Sequence, residues 1–197
     1  MSRADTSFDT RKKIINSALL VAAQAGFASA TTKEIAGKAK CSEGIIYHYF
    51  KGKNELFFAV IKENADAFLA QLGAQLKDTS GAKDKLEKLI DFHFQYFTGK
   101  INIFQILFGK ASDATVPFPY VLKTIILPYQ QVIEGIIRDG IASGELSNVN
   151  PVIVASSLLG MMQFNIIKMH FGVSGIAIND IKSSIKQLIF KTLLRNA

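Results

Sequence analysis

Gly26–Leu56 reads GFASATTKEIAGKAKCSEGIIYHYFKGKNEL. Thr31 and Glu34 stand three apart, the spacing at which a hydroxyl and a carboxylate cap a helix reciprocally. A short helix therefore opens at Thr31 and ends near Lys38 or Ala39. Ala39-Lys40-Cys41 is just long enough for a tight turn, and a second short helix spans roughly Ser42 to Tyr49. Two short helices joined by such a turn make a helix-turn-helix. Ile35, Ala36, Ala39, Ile46 and Phe50 are the expected small core that fixes the pair.

Helical periodicity continues on both sides. Upstream, Ile14, Ile15, Ala18, Leu19, Ala22 and Ala23 form one apolar stripe on a helix over Thr10–Ala25, which Gly26 stops. Downstream, a helix from Lys53 to about Lys77 would span roughly 35 Å, long enough to link two domains. Further helices are expected over Ala82–Gly99 and Asn102–Lys110. A loop follows at Ala111–Pro119, then a long helix over Tyr120–Ser143, kinked or interrupted at Pro128. Asn150-Pro151 is a cap and first-turn pair opening a helix to about His170. The last helix covers Asp180–Arg195. The fold class is all-α, with about nine helices and no segment that reads as a strand. The first three helices are expected to form one domain at residues 1–56 and the remaining helices a larger one at 57–197.

The 197 residues are 49% apolar and 20% charged, which supports a packed core and excludes a disordered chain. The net charge is +7. Residues 1–56 hold nine basic and five acidic side chains, net +4, against fourteen and eleven over the remaining 141 residues. Positive charge is thus densest around the helix-turn-helix, where phosphate is its natural partner. The single cysteine, Cys41, excludes an internal disulfide; it is a small apolar filler or, beside Lys38 and Lys40, a redox sensor. The N-terminus lacks the apolar segment of a signal peptide. The longest uncharged stretch, Leu146–Ile167, carries Asn148, Asn150, Ser156, Ser157, Gln163 and Asn165, and is expected to be a helix buried in protein rather than in lipid. A cytoplasmic location without membrane contact follows as the expectation.

The opening stretch resembles the TetR family of transcriptional regulators. The matching positions are Gly26-Phe27, Thr31-Thr32, Glu34-Ile35-Ala36, Ala39, Ser42, Gly44, Tyr47, Tyr49-Phe50, Lys53 and Leu56. Two depart: Lys40 stands at the usual turn glycine and Cys41 at the usual aliphatic. Lys40 strains the turn if its backbone is left-handed there. Gly140-Ile141-Ala142-Ser143-Gly144-Glu145-Leu146, followed by Asn150-Pro151, also looks like the family's seventh-to-eighth helix junction. The resemblance implies Thr32, Tyr47 and Lys53 as phosphate contacts, and a dimer formed by the last two helices as a four-helix bundle.

The residue types agree with that assignment. Thr32 lies at a helix N-terminus, where a hydroxyl and unpaired N–H groups suit phosphate. Tyr47 and Tyr49 offer phenol hydroxyls to the DNA backbone, and Lys53 adds a charge. For base reading the candidates are Lys33, Ser42, Glu43, Gly44 and Ile45: lysine for guanine edges, glutamate for cytosine, isoleucine for the thymine methyl. A two-fold dimer with two such heads implies a palindromic double-stranded operator.

In the larger domain, aromatic side chains crowd the helix over Ala82–Gly99. Phe92, His93, Tyr96 and Phe97, with Phe104, Phe108, Gln163 and Phe164, are the candidate lining of a site for a small hydrophobic ligand. Ordinary core packing is the alternative reading of most of these rings, and a hydrogen-bonded structural role that of His93. No Walker-type loop, G-x-S-x-G or C-x-x-C motif occurs, and His48, His93 and His170 lie far apart, so neither catalysis, nor a cofactor, nor a metal site is expected. The expected function is a ligand-responsive regulator, a repressor that a lipophilic effector releases from its operator. The rival is a ligand-binding scaffold whose reading head no longer binds DNA.

Overall fold

The computed structural model describes residues 3–99, 117–173 and 175–194. The helices are α1 (Arg3–Ser29), α2 (Thr32–Ala39), α3 (Glu43–Tyr49), α4 (Lys53–Leu76), α5 (Ala82–Gly99), α6 (Phe118–Val121), α7 (Leu127–Ala142), α8 (Pro151–His170) and α9 (Ile178–Leu193). A π-helical turn, Leu122–Ile126, joins α6 to α7 without a break. Counted with that run as one, there are eight helices among the described residues, against the nine expected. No strand occurs among them, and a lone antiparallel bridge pairs Leu146 with Leu194. The helix expected at Asn102–Lys110, with Phe104 and Phe108, lies outside the described residues.

The chain divides into two compact units. The first comprises α1–α3, α4 to Asp66, and residues 117–124; the second holds residues 67–99 and those from 125 on. In the first unit α1 packs on α2, and α2 on α3. The α1 stripe is buried through Ile14, Ile15, Ala18 and Ala22, while Leu19 is only half-buried. Gly26 breaks the helix with φ 83° and ψ 163°, a conformation that a Cβ would oppose, and one further turn follows before α2. The helix begins earlier than the apolar stripe, at Arg3 rather than Thr10. Arg11 ties α1 to α4 through an ion pair with Glu63, and its guanidinium lies 5.3 Å from the centre of the Phe50 ring. Phe27 meets Phe57 edge-on at 4.0 Å. From α6, the Tyr120 hydroxyl donates to the Phe58 carbonyl at 3.1 Å.

In the second unit α5 is the central helix, packed against α7, α8 and α9. Leu86, Leu89, Ile90, His93 and Phe94 form its buried face. Its N-terminus is capped from far along the chain: the Glu145 carboxylate accepts from the Ala82 and Lys83 backbone N–H groups at 2.6 and 2.9 Å. That reach is possible because α7 ends close to the start of α5. A Cβ on Gly140 would lie 2.5 Å from the Ala82 Cβ and 2.6 Å from Leu146 side-chain carbons. Asp91 then joins α5 to α9, pairing with Lys182 at 3.0 Å and Lys186 at 2.8 Å. Burial works to raise the Asp91 carboxyl, but the hydrogen bonds from the two lysines outweigh it and hold the group below its ordinary value.

The expected interruption at Pro128 takes the form of the π turn. Proline offers no N–H and its ring crowds the carbonyl four residues back, so the preceding turn widens. Asn150 caps α8 as expected, accepting from Val152 and Ile153 at 3.0 and 3.3 Å. The expectation that Leu146–Ile167 is a helix buried in protein rather than in lipid is met only in part within the single chain. By length and composition α8 is apolar enough to cross a membrane, yet only 28% of its most apolar 18 residues are buried within the chain. Ile153, Ser156, Ser157, Gly160 and Phe164 recur at helical spacing and share one exposed face.

Gly140→Ala is expected to destabilise the protein by about 1–3 kcal/mol through overpacking. Gly135→Ala, with nothing within 4 Å of the added carbon, should instead stabilise α7 by about 0.5–1 kcal/mol. Glu145→Ala should cost about 0.5–2 kcal/mol as a lost cap. Urea unfolding of the three variants checks the ranking, and equal stability of Gly140→Ala and Gly135→Ala would contradict it.

Candidate functional site

The α2–turn–α3 element is built as its sequence chemistry dictates. Thr31 caps α2, its Oγ1 accepting from the Glu34 N–H at 3.2 Å while the Glu34 carboxylate accepts from the Thr31 N–H at 2.9 Å. The backbone hydrogen bond from Thr31, then the one from its hydroxyl, holds the Glu34 carboxyl below its ordinary value. At the other end of α2, Lys40 adopts φ 56° and ψ 45°. The Cys41 N–H reaches the Ala36 carbonyl at 3.0 Å and the Lys40 N–H the Gly37 carbonyl at 3.3 Å. These two bonds form a Schellman motif, with lysine at the position that favours glycine. The end of α8 makes the same pair of bonds around Gly172, φ 68°.

Ile35, Ala36, Ile46 and Phe50 are buried together as expected. Ala39 is not; it is half-exposed, because α2 turns away there into the left-handed residue. With Ile46 facing in, α3 presents Glu43, Gly44, Ile45, Tyr47 and His48 outward, and Ser42 is exposed at its N-cap position. Ile45 is 38% and Tyr47 56% exposed, so both side chains are open to a partner on this face. Lys33 is exposed on α2. Thr32, Glu43 and Tyr47 come together across the turn: the Thr32 hydroxyl donates to Glu43 at 2.8 Å and lies 3.5 Å from the Tyr47 hydroxyl. Tyr49 is half-buried, its ring between those of His48 and Phe50 at 5.2 and 6.4 Å. Lys53 is half-buried rather than extended; its ammonium donates to the Ala28 carbonyl and lies 5.8 Å from the centre of the Phe57 ring.

One exposed residue on this face was passed over. His48 lies one turn beyond Gly44, and the i, i+4 relation alone places it on the same side of α3. Its ring nitrogens can hydrogen-bond phosphate or base. Cys41 is half-buried, and burial raises its thiol above the ordinary value. That is the opposite of the thiolate a redox sensor needs. Among the described residues no three His, Cys, Asp or Glu side chains gather as a metal site would require.

In the second unit, Phe92, His93, Tyr96 and Phe97 on α5 meet Phe68 of α4 and Tyr129 of α7 in one aromatic cluster. Phe68 touches four of these rings, with centroids 4.8–5.6 Å apart. His93 is completely buried, its Nδ1 3.3 Å from the Tyr129 hydroxyl. Burial pushes the imidazole down to about 3 and the Tyr129 phenol above its ordinary value. Gln163 is half-buried on α8, whereas Phe164 is 63% exposed and lies on the open face of that helix.

A helix-turn-helix with an outward polar and apolar reading face, joined to a helical unit with an aromatic centre, defines a one-component helix-turn-helix regulator. Two family models narrow the class. Bacterial regulatory proteins of the tetR family match residues 14–60, and the tetracyclin repressor-like C-terminal domain matches residues 79–166. The chain belongs to the TetR family. It is 27% identical over 147 residues to the fatty acid metabolism regulator protein of Bacillus subtilis (strain 168), covering 75% of this chain and 76% of that protein. It is 24% identical over 153 residues to the regulator UidR of Escherichia coli (strain K12), 77% of each chain. The solved structure of FadR from Bacillus subtilis, in complex with stearoyl-CoA, shares the fold with a TM-score of 0.79 at 23% identity, over 90% of this chain and 96% of that one.

Lys40→Gly should stabilise the protein by about 1 kcal/mol, because the left-handed backbone costs a Cβ-bearing residue roughly 1–2 kcal/mol and glycine's greater unfolded-state freedom returns part of it. The thermal midpoint is expected to rise by about 2–4 °C. A midpoint that stays level or falls would show that Lys40 is not strained.

Proposed function

We propose that this protein is a homodimeric repressor that binds a palindromic operator and releases it when a lipophilic effector enters the second unit. That it is a ligand-responsive DNA-binding regulator and not an enzyme follows from its family.

The outward face of α3 carries this reading. Ser42, Glu43, Gly44, Ile45 and Tyr47 are exposed beside Lys33 and Thr32 and take no part in the buried core. In the DNA-bound state Lys33, Ser42, Glu43, Gly44 and Ile45 read base edges, while Thr32, Tyr47, Tyr49 and Lys53 hold the phosphates. For Glu43 and Thr32 this means exchanging their mutual hydrogen bond for DNA partners. For Lys53 it means leaving the Ala28 carbonyl. Residues 1–56 act as the DNA-binding domain and 57–197 as the effector and dimer domain, with α4 the covalent path between them.

The dimer is proposed to form through α8 and α9. Ile153 and Phe164 on α8 and Leu188 on α9 are at least 60% exposed in the single chain. Ser156 and Gly160 on the same face of α8 allow a second helix to approach closely. Burying such a face is worth about 25 cal/mol per Å² of apolar area, and a closed two-fold pair brings two reading heads to one DNA. The effector is proposed to occupy the aromatic region of α5, with Phe92, His93, Tyr96 and Phe97 and the half-buried Gln163 of α8 as its contacts, whereas Phe164, on the open face of α8, belongs to the dimer face. The acyl ligand named for the Bacillus subtilis neighbour supports a lipophilic effector here. The protein is proposed to work as a soluble cytoplasmic protein, α8 being covered by its partner copy rather than by lipid.

Fluorescence anisotropy with DNA from upstream of the protein's own gene tests the reading. Affinity should fall on the order of 10²-fold between 50 and 200 mM salt, as neutralised phosphates require. Tyr47→Ala should weaken binding at least about tenfold without lowering the thermal midpoint. Salt-independent binding, or binding indifferent to Tyr47→Ala, would overturn it.

A further inference from the structure

His93 Nε2 is buried with no hydrogen-bond partner among the described residues. Such an atom is costly to leave unpaired, and native structures keep few of them without a use. Its chemistry can be worked out from the other side of the ring. Nδ1 lies 3.3 Å from the Tyr129 hydroxyl, and both groups are fully buried. If Nδ1 carried the proton, it would donate to the phenol oxygen, leaving both the phenol hydrogen and the Nε2 lone pair unmatched. If the phenol donates to Nδ1, only one orphan remains, the N–H at Nε2. The second arrangement leaves fewer buried groups unsatisfied, so the imidazole presents Nε2 as a donor.

The described rings around His93 bear on what that donor can receive. The rings against His93 are Phe94, Phe97 and Tyr129, at centroid distances of 5.5, 4.7 and 5.9 Å. None carries a charge. A carboxylate set against a neutral imidazole in this shell would lose its hydration without gaining a cation. A hydroxyl would satisfy Nε2 but bring a new hydrogen, and the one acceptor on these three rings, the Tyr129 oxygen, lies at Nδ1 on the other side of the imidazole. An uncharged carbonyl oxygen accepts and brings no donor.

We propose that His93 Nε2 is the polar anchor of the effector site and that the effector is an apolar molecule bearing an uncharged carbonyl: an ester, thioester, amide or ketone. The proposal rests on the reading of the α5 aromatic region as the effector site, and it adds the functional group and the tautomer. Tyr129 is the positioning residue, since its hydroxyl fixes which nitrogen of His93 faces the ligand.

The test uses the full-length protein with ¹⁵N-labelled histidine rings and three probes of similar length: methyl laurate, laurate and n-tetradecane. The ligand-free spectrum should show His93 protonated at Nε2. Methyl laurate should shift the Nε2 resonance and displace a fluorescent naphthalene dye roughly tenfold more tightly than tetradecane does, the difference one buried hydrogen bond makes. His93→Phe should bind ester and alkane alike, and His93→Gln, which keeps an N–H, should restore part of the preference for the ester. A proton found on Nδ1, or methyl laurate bound with Nε2 unmoved, overturns the anchor and leaves the lipophilic effector site standing. Laurate preferred over its ester, with His93 becoming charged, overturns the uncharged class. If no probe moves the His93 resonances or displaces the dye, the effector-site reading falls and the proposal with it. The wild-type spectra decide these outcomes even if His93→Phe fails to fold.

Discussion

Ile46 is completely buried and Phe50 nearly so, and the reading head depends on that burial. A helix of seven residues, the length of α3, has no stability of its own in water, because nucleation costs more than so few hydrogen bonds return. Burying an isoleucine and a phenylalanine contributes about 1.5–3 kcal/mol each, enough to hold α3 where the two side chains lock in with Ile35 and Ala36. Everything exposed on α3 is positioned by what is hidden beneath it. The cap at Thr31, the Schellman turn at Lys40 and the Arg11 clamp to Glu63 hold the same geometry from outside. Because stability is secured on one face, the other is left to the chemistry of DNA.

The second unit is organised by a helix rather than a turn. α5 is held along its length: Glu145 at its start, Asp91 with two lysines at its middle, and the aromatic cluster towards its end. The Gly140–Leu146 segment thus has a physical reason for its composition. Gly140 permits the close approach, Gly144 turns the chain with φ 77°, Glu145 caps α5, and Leu146 is fully buried. His93 sits on this helix with one nitrogen paired and the other without a partner among the described residues. A donor held that firmly discriminates between ligands by whether they bring an acceptor, the asymmetry that makes buried polar groups selective.

What the sequence made legible was local chemistry. The bounds of α5, the caps at Thr31 and Asn150, and the stop at Gly26 follow from residues within a turn of each other, and the structure places each there. The doubt attached to Lys40 was legible for the same reason, since only its own backbone decides it. Features that depend on distant residues were not. Glu145 is more than sixty residues from the N–H groups it caps. The Thr32–Glu43–Tyr47 contact needs the turn to be folded first. That α8 would stay largely uncovered could not be read from its apolar composition, because a core helix and an interface helix share that composition. The π turn before Pro128 was foreseen as an interruption but not in kind. His93 was recognisable as a polar group among aromatics, while its unpaired nitrogen depends on where Tyr129 arrives.

The central claim is that two copies of this chain present two α3 faces to one DNA. Selecting sequences from a random double-stranded pool with the purified full-length protein tests that claim most directly. The account predicts recovery of an inverted repeat whose half-sites lie about one helical turn apart, or slightly more. Recovery of a single unrepeated element, or no enrichment at low salt, would contradict it.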